Sequence, residues 1–231
     1  MTGLFKKSIL MISVFLLLTI VSFAQDDVTN KIMMGYQGWF LCNGDNSAPN
    51  RWVHWFNSSG NPSAEEIGID FWPAMDEYKD TYPTKLTYED GSNAQLFSSY
   101  DSSTVNVHFR WMREYGIHGV YLQRFLGPVA SRGDLFESRN QVLQNVIGAA
   151  DQYDRHFAVM YDISGVADDG QLYNKLISDW EYLVDTYDVF NKKGYVHKDG
   201  KPIIAIWGIG FSDRGLKPAT FEKIIDYFHN S

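Results

Sequence analysis

Cys42 is the only cysteine in a chain of 231 residues. One cysteine excludes an internal disulfide, and a domain of this size needs no such staple. Beside Trp39 and Phe40 it reads as a packed side chain, not a reactive one. The six histidines form no HxxH or HExxH pattern and there is no cysteine pair, so the usual transition-metal signatures are missing. No metal and no cofactor is expected. A Gly-x-Ser-x-Gly nucleophile elbow is also lacking, which speaks against an esterase. Gly208-Ile209-Gly210 has no correctly placed third glycine, so it gives little support to a nucleotide site. Basic clusters are lacking too: 20 Lys and Arg stand against 28 Asp and Glu, a formal charge of −8. Nucleic-acid binding and docking on anionic membranes both depend on neutralising phosphates, so neither partner is expected.

Apolar and aromatic residues, by contrast, are plentiful. Hydrophobic residues make up 45% of the chain, enough for a substantial core. Aromatics reach 16%, with 7 Trp, 14 Tyr and 15 Phe. Such an excess fits either a cleft for flat, partly apolar ligands such as sugars or simply an aromatic core. Met1 to Ala24 reads as a secretory signal: Lys6 and Lys7, an apolar run from Ser8 to Val21, then Ser22-Phe23-Ala24 before a polar start at Gln25. The run is short for a membrane span, which needs about 20 residues. No cysteine stands at the cleavage point, so a lipid anchor has no support. The expectation is a secreted or periplasmic protein whose mature part, from Gln25, carries 18 basic and 28 acidic residues, net −10.

Lys31 to Tyr36 reads as a first strand. A long irregular stretch follows, from about Leu41 to Tyr100, with turn formers such as Asn43-Gly44-Asp45-Asn46 and Trp72-Pro73. Its many aromatics predict an ordered, ligand-facing excursion. Then helices and strands alternate: helix Ser102–Tyr115, strand Gly119–Arg124, helix Leu135–Tyr153, strand His156–Asp162, helix Gln171–Tyr187, strand Pro202–Trp207 and helix Pro218–Phe228. The later strands are continuous apolar runs, as in a parallel sheet buried on both faces. The fold class is α/β, as a doubly wound open sheet or part of a (β/α)8 TIM-type barrel. A barrel needs eight units and about 250 residues, and only about four units are visible. Residues 25–231 are therefore expected to be the N-terminal portion of a longer (β/α) domain. A complete four-unit open sheet is the alternative.

Reactive groups in such folds sit at the C-terminal ends of the strands. Those positions hold Tyr36, Gln37 and Trp39 after strand one, Gln123 and Arg124 after strand two, Tyr161 and Asp162 after strand three, and Trp207 after strand four. The mixture of aromatic faces, amides, a guanidinium and a carboxylate is what a carbohydrate site requires. His54 and Trp55 join the set from the long loop. Each candidate has a plainer reading. Asp162 also suits a turn-capping role, Arg124 suits an ion pair with Asp162, and a histidine between tryptophans is often structural. Glycoside hydrolysis usually needs two carboxyl groups. Asp162 is the only one at a strand end; Asp134, Glu137, Asp168 and Asp169 fall in loops or at helix starts, where acids match the helix dipole.

Four segments carry a family likeness: Gly35-Tyr36-Gln37-Gly38-Trp39-Phe40 with Trp52-Val53-His54-Trp55; Met112 to Val120; Phe157 to Asp162; and Gly194-Tyr195 with Gly200 to Trp207. In order and spacing they resemble glycoside hydrolase families 71 and 99, above all the bacterial proteins labelled xylosidase/arabinosidase. The resemblance implies a (β/α)8 barrel acting on glycans, with endo-α-mannosidase activity in the best-known branch. It also implies sugar contacts from a tyrosine after strand one and an acid after strand three, matching Tyr36 and Asp162. The chain departs from family 99 in having Asp in place of Glu at the latter position, and Gln123-Arg124 in place of aromatics. The family's catalytic glutamates follow the last barrel strands, so the catalytic residues are expected beyond Ser231. What results is a glycoside hydrolase-like protein lacking its acid/base pair. The alternative is a non-catalytic carbohydrate-binding protein.

Overall fold

The computed structural model describes residues 27–57, 60–211 and 215–230. The signal expected in residues 1–24 lies outside them.

Four parallel strands form the central sheet: β1 (Met33–Tyr36), β4 (Gly119–Phe125), β5 (His156–Asp162) and β8 (Ile204–Trp207). Their spatial order, β1-β4-β5-β8, is also their order along the chain. Each unit adds its strand outside the previous one, and nowhere does the order reverse. A doubly wound sheet reverses at a switch point, whereas a barrel winds one way. The winding here is the barrel type, but the sheet is open. Helices α1 (Ser102–Glu114), α3 (Asp134–Tyr153), α4 (Leu172–Tyr187) and α5 (Pro218–Asn230) follow the strands in turn, and a short helix α2 (Leu126–Ala130) follows β4 directly. All four predicted strands and long helices are present, with ends shifted by a few residues.

The register sorts side chains into two faces. Leu122 pairs with Tyr36 and Val159, and Arg124 pairs with Tyr161, which in turn pairs with Ile206; these side chains meet the helices. Gln123 pairs with Met160, and Phe125, Asp162 and Trp207 form one lateral row; these occupy the opposite face. The helix face is the core: Val120, Leu122, Phe157, Val159 and Tyr161 are almost fully buried together with Val142, Val146, Leu176 and Leu183. Gly119 has to be small, because a Cβ there would lie 2.3 Å from the His156 carbonyl oxygen.

The predicted irregular stretch is a lobe with its own structure. It contains the antiparallel hairpin β2 (Tyr82–Thr87) and β3 (Asn93–Leu96). A second small core holds Cys42, Trp55, Phe56, Leu96 and Phe97. The Cys42 thiol is fully buried and donates to the Phe97 carbonyl at 3.1 Å, and burial raises its pKa. Asp45 accepts from the Cys42 backbone N–H at 2.9 Å and from the Ser98 hydroxyl at 2.6 Å, which closes the lobe's base. A second small hairpin, β6 (His197–Lys198) with β7 (Lys201–Pro202), takes up Pro202, so the fourth sheet strand starts later than its apolar run.

Candidate functional site

The C-terminal edge of the sheet presents Phe125, Asp162 and Trp207 side by side on the face away from the helices. Period-two alternation puts Gln123 one step below on the same face. The Gln123 amide donates to Asp162 Oδ2. Asp162 Oδ1 accepts the Ser164 backbone N–H at 2.7 Å, an Asx-type turn that leads the chain away from β5. The carboxylate, 3% exposed, thus serves both the turn and the cleft floor. Trp207 is 50% exposed and lies 6.0 Å from Phe211, centroid to centroid.

A wall of stacked rings rises beside this row. The Trp39 indole stacks on the His54 imidazole at 4.4 Å and leans on Phe125 at 4.9 Å. Gly38 allows this: a Cβ there would lie 2.5 Å from Val142 on α3, so only glycine lets the strand-one end settle on that helix. His54 has a left-handed backbone, φ 64°, which turns its ring back over Trp39. Burial, and then the charge of Arg139, lower the His54 pKa to about 4. The ring is therefore neutral at pH 7, with one donor and one acceptor nitrogen.

Arg139 reaches up from α3 beneath this wall. It is 5% exposed and donates to the Gly38 carbonyl at 3.4 Å. Its Nε and the Trp39 indole N–H are buried donors without a hydrogen-bond partner. Burial, with the neighbouring Arg124 charge, lowers the Arg139 pKa to about 10. Unmatched donors near aromatic faces suit an acceptor-rich ligand.

The structure gathers Trp39, His54, Gln123, Asp162 and Trp207 around the strand ends, with Gln37 exposed at the end of β1. It points the other candidates elsewhere. Arg124 does not pair with Asp162. It points to the helix side and makes a bidentate pair with Asp179 of α4, at 2.6 and 2.8 Å, with a further bond to Asn140 at 3.0 Å. Tyr161 donates to the same Asp179 at 2.7 Å and is fully buried. Tyr36 also lies on the helix side; its hydroxyl is 2.7 Å from His108 Nδ1. Trp55 belongs to the lobe core, 3% exposed, with its indole N–H bonded to the Phe97 carbonyl at 3.0 Å. Adjacent strand residues face opposite ways, so Gln123 and Arg124, or Tyr161 and Asp162, cannot share one cleft face.

Sequence reasoning placed Phe125 at the end of strand two without adding it to the site, and missed Arg139 and His108. Phe125 was within reach, since it stands two residues after Gln123. His108 bridges Tyr36 and Tyr78, with both hydroxyl contacts at 2.7 Å, and so ties the lobe to β1 and α1. Nothing local in sequence marks that bridge. Of the other acids, Asp134 pairs with Arg51, Asp169 with Lys175, and Asp168 accepts from the Lys217 backbone and the Thr220 hydroxyl, while Glu137 is exposed near the start of α3. Among the described residues no three His, Cys, Asp or Glu side chains converge as metal ligands do.

No family model and no curated protein matches the sequence. Among solved structures, the chain is similar to two of the family 99 endo-α-mannosidase from Bacteroides thetaiotaomicron. The first, in complex with bis-tris-propane, is 16% identical with a TM-score of 0.48, over 76% of this chain and 41% of that one. The second is 17% identical with a TM-score of 0.46, over 76% of this chain and 44% of that one. The chain spans less than half the length of these neighbours.

Proposed function

We propose that this is a secreted carbohydrate-active protein of glycoside hydrolase type, whose sugar site is the cleft above Gln123, Phe125, Asp162 and Trp207. One observation carries the reading: a carboxylate–amide pair and exposed aromatic faces meet at the C-terminal edge of a consecutively ordered parallel sheet. Barrel enzymes build their sites at that edge. Trp39 and His54 supply a flat wall for the C–H face of a sugar ring, while Asp162 and Gln123 supply acceptor and donor for its hydroxyls.

Hydrolysis needs a second carboxyl group about 5–10 Å from the first. Of the other acids the sequence offers, Asp134, Asp168 and Asp169 are bonded to groups outside the cleft and Glu137 is exposed near the start of α3, so none is bonded to Asp162 or Gln123. In this reading the acid/base pair comes from residues beyond these 231, and the chain alone binds sugar without cutting it. The second reading, a dedicated carbohydrate-binding protein, is favoured by the same missing partner.

Binding and turnover separate the outcomes. Calorimetric titration of the 231-residue chain with xylose- and mannose-based saccharides should show binding that Trp39→Ala removes. Reducing-sugar release should stay at background. Measurable glycan hydrolysis by this chain would refute the placement of the catalytic pair elsewhere, and an unchanged affinity in Trp39→Ala would refute the cleft.

A further inference from the structure

His54 has a second side. Its ring covers Trp39 in the strand-end cleft, and the residue also lines a cavity of about 440 Å³ within the lobe. Arg51, Trp52, Asn57, Gly60 and Gly68 are among the residues of its other walls. The volume is within the range of about 300–1,000 Å³ found for small-molecule sites. We propose that this cavity is a second saccharide subsite, joined to the strand-end cleft through His54, so that the protein takes an extended, uncharged oligosaccharide. The proposal rests on the carbohydrate reading above and deepens it.

The walls are held in place without a ligand. The Asn57 N–H donates to the Glu66 carbonyl at 2.6 Å, Gly60 N–H to Asn57 at 2.8 Å and Gly68 N–H to Trp55 at 3.0 Å. A preformed cavity spares the ligand the cost of ordering these turns. Gly68 keeps the wall thin, because a Cβ there would lie 3.3 Å from the His54 carbonyl oxygen. The lining mixes what sugars need. Trp52 offers a half-buried aromatic surface, and the exposed Asn57, whose amide N–H donates to the Ile67 carbonyl at 3.4 Å, offers its amide oxygen as an acceptor. The His54 ring is neutral above about pH 4. The Arg51 charge is matched at the rim by Asp134 of α3. A lining with no unmatched charge favours a neutral ligand over a uronic or sulfated one.

The test compares affinity with chain length. Mannose, xylose and their linear oligosaccharides of two to four units are titrated into the wild type, Asn57→Trp and Arg51→Trp. Both substitutions place an indole in the cavity from positions that are exposed at its rim. Affinity in the wild type should rise about tenfold or more from the monosaccharide to the longer ligands, as one added aromatic–sugar contact would give. In the filled variants that rise should vanish while monosaccharide affinity stays the same. If one variant does not fold, the other gives the same reading. Monosaccharide binding with no gain on lengthening, or a gain that survives both fillings, overturns the second subsite alone. Failure of every saccharide to bind overturns the carbohydrate reading beneath it.

Discussion

Arg124 offers the sharpest discrimination between cleft and scaffold. It is 3% exposed and Asp179 is 1% exposed, and the pair is joined by two charge-assisted bonds. Asp179 also accepts the Tyr161 hydroxyl at 2.7 Å. In Asp179→Leu the guanidinium stays buried with only Asn140 as partner, which costs about 3–5 kcal/mol. The orphaned Tyr161 hydroxyl adds about 1 kcal/mol. A domain holds only about 5–15 kcal/mol in all. With a urea slope of about 2–3 kcal/mol per molar, the midpoint should fall by roughly 1.3–3 M. Arg124→Leu alone should behave similarly, because Asp179 is then the unpaired buried charge. The double variant Arg124→Leu/Asp179→Leu should recover most of the loss, since apolar replacement of a whole buried pair is often neutral. Urea titrations at pH 7, followed by tryptophan fluorescence, read all three midpoints, and saccharide titration of the double variant reads the cleft. Sugar binding should survive in it. If Arg124→Leu keeps the wild-type midpoint and abolishes sugar binding, the guanidinium acts in the cleft and the placement on the helix side is wrong.

Other perturbations probe the cleft and its supports. Asp162→Asn keeps an oxygen to accept the Ser164 N–H but removes the charge facing Gln123, so calorimetry should show lost sugar binding, while thermal melts show a loss of about 1 kcal/mol or less. Burial lowers the His108 pKa to about 4, against about 6.5 unfolded, so its neutral form stabilises the fold above pH 6.5 and that support is lost as pH falls toward 4. The advantage of wild type over His108→Gln in urea titrations should therefore shrink by about 2–3 kcal/mol between pH 7 and pH 4.5. Asp101, its pKa raised by burial to about 6, works in the opposite sense over this range and cancels in that comparison. His54→Gly frees a left-handed backbone position but loses the ring on Trp39; two opposing effects of about 1 kcal/mol each should leave the melting temperature nearly unchanged and sugar affinity reduced.

The sheet was legible because its strands are apolar runs. Gly119–Phe125 and His156–Asp162 stand out by composition, and helices with apolar residues at helical spacing separate them. The lobe was not, because its pairings are short and mixed. Tyr82–Thr87 contains Pro83 and Lys85 and its register shifts between Pro83 and Thr87, so no clean alternation marks it. Trp55 reads as a ligand-facing ring in sequence, but its partners Leu96 and Phe97 arrive about 40 residues later, and only folding makes it core. The cleft was half legible. Residues at the strand ends were found, but neighbours were grouped together although the pleat sends them to opposite faces. Asp179 shows why: its partner Arg124 is 55 residues away, and helix position gives no hint of a buried carboxylate.

The two faces of the sheet differ in how their polar groups are satisfied. On the helix side Arg124, Asp179, Tyr161 and Asn140 bond one another, and the Asn140 amide continues the network to the Tyr182 hydroxyl at 3.3 Å. Such a network fixes how α3 and α4 seat on the strands. At the strand ends the accounting stays open. Trp39 Nε1 and Arg139 Nε lack acceptors, Trp207 shows half its surface to solvent, and Asp162 is met by a single neutral amide and a backbone N–H. Folding alone rarely leaves buried donors unmatched, because each costs about 1–3 kcal/mol. Two of them, Trp39 Nε1 and Arg139 Nε, lie at the ring wall, while others such as Ser47 Oγ and Thr104 Oγ1 lie away from it, so unmatched donors support the strand-end cleft only together with its exposed Trp207 and its carboxylate–amide pair.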